Sequence, residues 1–147
     1  MTDLDGDGRT PLHHAAFDRD VARIRALARE FDVDAVDKKG FTALHFAAQQ
    51  GGREAAQALL DAGCAVDPTN AWGNTPLWTA VFSSQGGGDV IRLLRERGAN
   101  PWHLNNSGKS PVDLARLIAN YDIAQFFADL PASAPGGIQL APNPAET

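Results

Sequence analysis

Three aspartates stand at alternate positions near the start of the chain, in the segment DLDGDG at residues 3–8. Carboxylates in this spacing, with a glycine at the sixth position, are typical of the first half of a calcium-binding loop. The twelfth position of such a loop requires a bidentate glutamate, and His14 stands there. Because a helix is predicted to begin at Thr10-Pro11, inside the loop, we expect a solvent-exposed hairpin and no metal site.

A second candidate is Gly108-Lys109-Ser110, which has the form of the end of a phosphate-binding loop. That motif requires another glycine five residues before Gly108, where His103 stands, and a buried strand in front of it. Because neither requirement is met, we expect these residues to form a turn that leads into a helix.

The histidines and the single cysteine do not form a catalytic or metal-ligating pattern. His13 and His14 are adjacent and point to different faces of a helix, whereas zinc-binding pairs on one helix are spaced by four residues. Cys64 stands where a small apolar residue is expected, which favours a buried, unreactive thiol. With no recognisable arrangement of acid, base and nucleophile, we expect no enzymatic activity and no cofactor.

All of these residues belong to a pattern that occurs four times. The segment GRTPLH at 8–13 is followed by GFTALH at 40–45, GNTPLW at 73–78 and GKSPVD at 108–113. The first glycines of these segments are separated by 32, 33 and 35 residues. A second motif, LLDAG at 59–63 and LLRERG at 93–98, is in phase with the first. A regular period of this length predicts a stack of similar units.

Each unit is predicted to contain two short helices. The first helix follows a threonine or serine that caps it, and in three units a proline occupies its first position. The second helix carries aliphatic residues at helical spacing, for example Leu59 and Leu60. We expect Gly63 and Gly98 to end this helix in the left-handed conformation. Since no unit buries its apolar side alone, the units must stack.

The period and the Thr-Pro-Leu-His signature resemble the ankyrin repeat, and the resemblance covers about residues 4–130. It implies an all-α solenoid of four helix-turn-helix units joined by hairpin-like loops. The expected organisation is a repeat domain over 1–130, with units at about 5–36, 37–69, 70–104 and 105–130. A tail over 131–147, rich in proline, alanine and glycine, is predicted to be extended. In this family the signature histidine is structural, so the resemblance also accounts for His13 and His45.

The sequence departs from the family pattern at several points. The first unit lacks the terminal glycine and has an arginine-rich outer helix, as suits an N-terminal cap. The third unit is two residues longer, and we expect its loop Ser83–Gly88 to protrude. The third unit also has Trp78 in place of the histidine, and we predict that this tryptophan lies in the core. The fourth unit has Asp113 there and ends in Phe126-Phe127, which is typical of a C-terminal cap.

Composition excludes several other classes of protein. The 147 residues include 13 Lys+Arg and 18 Asp+Glu, a net charge of −5, which argues against a nucleic-acid-binding protein. No apolar segment approaches the roughly 18 residues of a membrane span, and the N-terminus lacks the pattern of a signal peptide. We therefore expect a cytoplasmic protein that binds neither nucleic acid nor membrane and is monomeric when free.

In an ankyrin stack the hairpin tips and inner helices form a concave face, and the resemblance implies that a partner binds there. Four positions of this face are aromatic, which is typical of interaction sites, although each ring has the alternative of packing on its own neighbours. The predicted partner-binding residues are Arg9, Phe17, Lys38, Lys39, Phe41, Gln49, Gln50, Trp72, Asn74, Phe82 and Ser83.

Two functions fit a module that binds one protein partner. The resemblance to small bacterial ankyrin-repeat proteins implies an immunity protein that neutralises a cognate toxin, and the acidic charge would complement a basic toxin. The alternative is a scaffold or accessory protein that stabilises an enzyme or pathway component without a toxin. Both alternatives predict the same binding face, and the sequence does not separate them.

Overall fold

The computed structural model describes residues 5–83, 88–118 and 123–134. These residues contain seven α-helices and no strand, which confirms the all-α prediction. The helices are α1 (Pro11–Phe17), α2 (Val21–Leu27), α3 (Ala43–Gln49), α4 (Arg53–Asp61), α5 (Pro76–Ser83), α6 (Asp89–Glu96) and α7 (Pro111–Leu117), and a 3₁₀ helix spans Ile123–Phe127.

The helices form two rows. The inner helices α1, α3, α5 and α7 pack against one another in chain order, and α2, α4 and α6 form an outer row behind them. Inner helices approach closely because their buried faces carry small residues such as Ala47 and Ala48. The outer row contributes larger aliphatic residues, including the fully buried Leu59 and Leu94. The hydrophobic core therefore runs between the two rows along the whole stack.

The predicted helix boundaries have clear local causes. The hydroxyl oxygens of Thr10, Thr42 and Ser110 each accept a backbone N–H from the first turn of the inner helix that follows. Gly63 and Gly98 follow α4 and α6 with φ of +98° and +92°, a left-handed backbone that favours glycine. Cys64 is buried directly after α4, and desolvation raises the pKa of its thiol to about 12. The thiol is therefore protonated, as expected for a core residue.

The fourth unit has a shorter outer element than the predicted helix. Its 3₁₀ helix is attached to α6 by Arg95, which donates hydrogen bonds of 2.7 and 2.9 Å to the two carboxylate oxygens of Asp129. The guanidinium of Arg95 also lies 5.4 Å from the ring centre of Phe127, and that of Arg92 lies 4.6 Å from Phe126. Phe126 and Phe127 thus pack the last element of the fourth unit against α6.

Residues after Leu130 begin in contact with the repeats. The guanidinium of Arg116 donates hydrogen bonds to the carbonyls of Leu130, Pro131 and Ala132, at 3.3, 2.9 and 3.1 Å. Residues 135–147 of the predicted tail and 84–87 of the predicted protruding loop lie outside the described residues. The boundaries of the four units, near residues 36, 69, 104 and 130, stay predictions. The longest helix in the described ranges has nine residues, and none there is long and apolar enough to cross a bilayer.

Candidate functional site

The hairpin at the start of each of the four units is built around one aspartate or asparagine. The side-chain oxygen of this residue accepts the backbone N–H groups two and four positions later, at 2.8–3.1 Å. Such a side chain takes the place of a backbone acceptor and closes the turn. The four residues are Asp5, Asp37, Asn70 and Asn105.

This role gives Asp5, part of the calcium-like segment, a structural function. Its carboxylate accepts the N–H groups of Arg9 and Asp7 and lies 2.8 Å from Nε2 of His14. The N–H of Arg9 is the main reason why the pKa of Asp5 lies below its usual value. Asp3 lies outside the described residues.

Backbone hydrogen bonds join neighbouring hairpins. The N–H of Lys38 donates to the carbonyl of Asp7 (2.9 Å), that of Ala71 to Lys39 (2.9 Å), and that of Asn106 to Trp72 (3.0 Å). Three successive bonds of this kind fix the tips of all four hairpins relative to one another. Side chains at equivalent tip positions therefore share one edge of the stack.

Gly73→Ala is expected to destabilise the protein more than Gly108→Ala in urea unfolding. Both glycines hold the same turn position with positive φ (+76° and +74°), so each alanine incurs the left-handed strain of about 1–2 kcal/mol. A Cβ at Gly73 would also lie 2.9 Å from the backbone N of Asn106, whereas nothing lies within 4 Å at Gly108. Equal losses for the two variants would show that the hairpins are not held in contact.

The signature histidines connect the inner helices α1 and α3 to the hairpin of the next unit. Nδ1 of His13 accepts the N–H of Thr10 (2.9 Å), so Nε2 carries the proton and donates to the carbonyl of Phe41 (3.0 Å). His45 repeats this arrangement with Thr42 (3.1 Å) and with the carbonyl of Asn74 (2.9 Å). Burial lowers the pKa of both histidines, that of His45 to about 4. Both are therefore neutral structural residues at physiological pH.

Trp78 occupies the corresponding position of the third unit and corrects our prediction of a core residue. Its side chain is only half-buried, and its indole N–H has no hydrogen-bond partner among the described residues. The indole is larger than imidazole and lies at the edge of a cleft instead of beneath the next hairpin. The hydrogen bond that a signature histidine donates to the next hairpin is thus absent between the third and fourth units.

The cleft has a volume of about 410 Å³ and lies between the second and third units. One side is formed by the second hairpin and α3, and the other by the third hairpin and α5. Its lining residues are Phe41, Gln49, Asn70, Trp72, Asn74, Trp78, Thr79, Phe82 and Ser83.

Aromatic contacts extend from this cleft to the first unit. The ring centre of Phe41 lies 6.0 Å from Trp72 and 5.6 Å from Phe46, which it stacks against at 18°. Phe46 in turn meets Phe17 edge-on at 6.1 Å. Phe41 is therefore half-buried by its neighbours, not exposed as expected, whereas Trp72 and Phe82 are 50% and 69% exposed.

The remaining predicted residues fall into three groups. Arg9 and Phe17 line a smaller cleft of about 250 Å³ between the first and second units, and Gln49 lines both clefts. The guanidinium of Arg9 lies 5.1 Å from the ring centre of Phe46 and 3.4 Å from the carboxylate of Asp37. Lys38 and Lys39 are exposed at the second hairpin tip, and Gln50 ends α3 without lining either cleft.

The sequence interpretation missed several residues of the site. Phe46 is the residue after the signature histidine, and the equivalent residue of the third unit, Thr79, lines the large cleft. Aligning the units one position beyond the signature would have placed both at the equivalent position of neighbouring inner helices, where Phe46 is buried and Thr79 is half-buried. Asn70 was also detectable, because all four hairpin residues stand three positions before a signature glycine.

Two rows of short helices with linked hairpins define a helical repeat protein, and comparison with known proteins identifies its family. A family model described as "Ankyrin repeats (3 copies)" matches residues 1–70, and a second, described as "Ankyrin repeat", matches residues 72–106. The chain belongs to the ankyrin-repeat family, as the signature predicted.

Similar proteins are mostly eukaryotic. The chain is 34% identical to Serine/threonine-protein kinase 12 of Arabidopsis thaliana, with 71% of this chain and 24% of the kinase covered. It is 38% identical to Ankyrin repeat domain-containing protein 13C of Danio rerio, with coverage of 86% and 25%. It is 39% identical to Ankyrin repeat and SOCS box protein 3 of Bos taurus, with coverage of 76% and 28%. The chain therefore spans only 24–28% of the length of these curated relatives.

Membership of this family establishes a coarse function. Ankyrin repeats indicate a protein–protein interaction module, and the fold is in general non-enzymatic.

Proposed function

We propose that this chain binds one protein partner through its concave face, with the large cleft at the centre of the contact. The observation that carries the proposal is the group of neighbouring aromatic residues at this cleft, of which Trp72 and Phe82 are half-exposed or more. Exposed apolar side chains grouped in this way are typical of interaction sites. Aromatic residues also supply large contact areas with few rotamers to restrict.

The finer function that we propose is that of a cytoplasmic immunity protein, monomeric when free, that neutralises a cognate bacterial toxin. Support comes from the resemblance to small bacterial ankyrin-repeat proteins. The net charge of −5 would favour encounter with a basic toxin, but the exposed charged residues of the second hairpin are Lys38 and Lys39. Charge complementarity to a basic toxin would therefore come from acidic residues outside the second hairpin.

The alternative is a scaffold or accessory protein for an enzyme or pathway component. It is favoured by the relatives, because each match is a minor part of a much longer protein. A neighbouring gene for a large secreted protein with a variable C-terminal domain would favour immunity. Rescue of cells from that domain by co-expression of this chain would separate the two functions.

Trp72→Ala is expected to weaken binding of the partner by at least about 2 kcal/mol, the usual threshold for a hot-spot residue. The partner is first captured from the native host, and its affinity for purified variants is then measured by calorimetry. The fold should be retained because Trp72 is half-exposed and lies at a hairpin tip.

The matched control is Arg25→Ala on the outer helix α2. Arg25 is exposed and its side chain forms no hydrogen bond or ion pair within the described part of the chain. Loss of binding in Arg25→Ala with normal binding in Trp72→Ala would place the interface on the outer row of helices.

A further inference from the structure

We infer that the large cleft receives an extended, proline-rich segment of the partner. This inference rests on the proposed function, since it specifies what the concave face binds. The first support is the charge of the cleft, because none of its lining residues is ionisable. The exposed Lys38 and Lys39 lie at the hairpin tip and do not line the cleft, and the one carboxylate in residues 37–50 and 70–83, Asp37, has a side chain that is 2% exposed. An uncharged segment therefore complements the cleft better than an acidic or basic one.

Hydrogen bonding at the cleft favours an occupant that supplies acceptors. The side-chain oxygen of Asn70 already accepts the N–H groups of Trp72 and Asn74, at 2.9 and 3.1 Å. The side-chain oxygen of Asn74 accepts a hydrogen bond from Asn105 at 2.8 Å. In contrast, the indole N–H groups of Trp72 and Trp78 have no partner among the described residues. The two indole N–H donors at the cleft can therefore be paired by acceptors of an occupant.

A proline-rich segment has the complementary chemistry. Proline has no backbone N–H, so the segment brings few donors that would need acceptors. In the polyproline II conformation its carbonyls point outward with no internal hydrogen bonds, and they are available to indole N–H donors. Proline rings also pack against aromatic side chains, as in the aromatic-lined grooves that recognise such segments.

The dimensions of the two structures also agree. A polyproline II helix repeats every three residues at about 3.1 Å per residue, which gives a period of roughly 9 Å. Packed helices are separated by about 8–10 Å, so neighbouring inner helices present equivalent positions at nearly the same interval. Gln49 and Phe82 hold one such position in α3 and α5, and both line the cleft. A segment with proline at every third residue would therefore place successive prolines on successive units.

The test uses the full chain and a blocked ten-residue peptide with proline at every third position. Tryptophan fluorescence and calorimetry should show saturable binding of this peptide. A peptide with alanine in place of each proline should bind at least tenfold more weakly, and so should an acidic peptide of equal length. Equal binding of the three peptides, or binding of none, would overturn the inference.

Trp78→His is the informative variant, because it introduces the residue that the first two units have at this position. The carbonyl of Lys109 is equivalent to the carbonyls that accept from His13 and His45. The introduced histidine can therefore donate a hydrogen bond to Lys109 and connect the third unit to the fourth. We expect an unchanged or higher melting temperature together with at least tenfold weaker binding of the proline peptide. Unchanged peptide affinity in Trp78→His would overturn the assignment to this cleft, and Arg25→Ala serves as the control.

Two further outcomes distinguish the inference from the function on which it rests. If the captured partner depends on Trp72 but the proline peptide does not bind, the inference fails and the proposed function stands. If the partner binds Trp72→Ala normally, the proposed function fails. If a chain truncated after Ala134 shows altered tryptophan emission and binds the peptide at least tenfold more tightly, residues 135–147 are the occupant and the inference of a partner segment is wrong.

Discussion

Leu59→Ala is expected to lower the free energy of unfolding by about 2–5 kcal/mol, the usual range for truncation of a buried leucine. Leu59 is fully buried in α4, which packs against α2, α3 and α6. Replacement by alanine leaves a cavity in the core between the two rows of helices. Urea unfolding followed by circular dichroism measures the loss.

Gln57→Ala provides the matched control for this substitution. Gln57 lies in the same helix but is exposed, so its replacement should change the free energy of unfolding by less than about 0.5 kcal/mol. A loss of that small size for Leu59→Ala would mean that the core does not run between the two rows of helices.

Stability should also fall by about 3 kcal/mol through His45 as the pH decreases from 6.5 to 4. Burial lowers the pKa of His45 from 6.5 to about 4 in the folded protein, so the unfolded chain binds more protons in this interval. The contribution is fully present above pH 6.5 and is lost as the pH approaches 4, at up to about 1.4 kcal/mol per pH unit. The lowered pKa of His13 acts in the same direction.

Urea unfolding between pH 4 and pH 7 tests this prediction when the protein is compared with His45→Gln. The glutamine variant has no titrating group at this position, so its stability should depend less on pH even though it is less stable at pH 7. Gln57→Ala, which keeps both signature histidines, should retain the dependence of the original protein. Parallel curves for the original protein and His45→Gln would contradict a buried, neutral His45.

The fold was predictable because its signals are local and repeated. Thr10, Thr42 and Ser110 cap helices within their own units, and Gly63 and Gly98 end helices within theirs, so each signal is read without knowledge of distant contacts. Four copies in phase then make stacking the one way to bury the apolar sides. The short 3₁₀ element of the fourth unit was not predictable in the same way, because no following unit repeats its pattern.

The candidate site was predictable only in outline. Register within the repeat places Trp72 and Phe82 on one face, but the burial of a ring depends on which neighbour it meets in three dimensions. Phe41 is half-buried because Phe46 stacks on it, and Trp78 remains at the surface because the indole does not take up the histidine's position. Both outcomes depend on which side chains meet in three dimensions, and the repeat pattern alone does not give that information.

The backbone bonds between hairpins give each interface of the stack its own amide hydrogen. The amides of Lys38, Ala71 and Asn106 donate to the preceding hairpin, so each exchanges with solvent deuterium when this bond between the two hairpins opens. Exchange at these three amides therefore reports the opening of the first, second and third interfaces one by one. A molecule that binds to both the second and third units would slow exchange at Ala71. The amide with slowed exchange would therefore show which pair of units the molecule contacts.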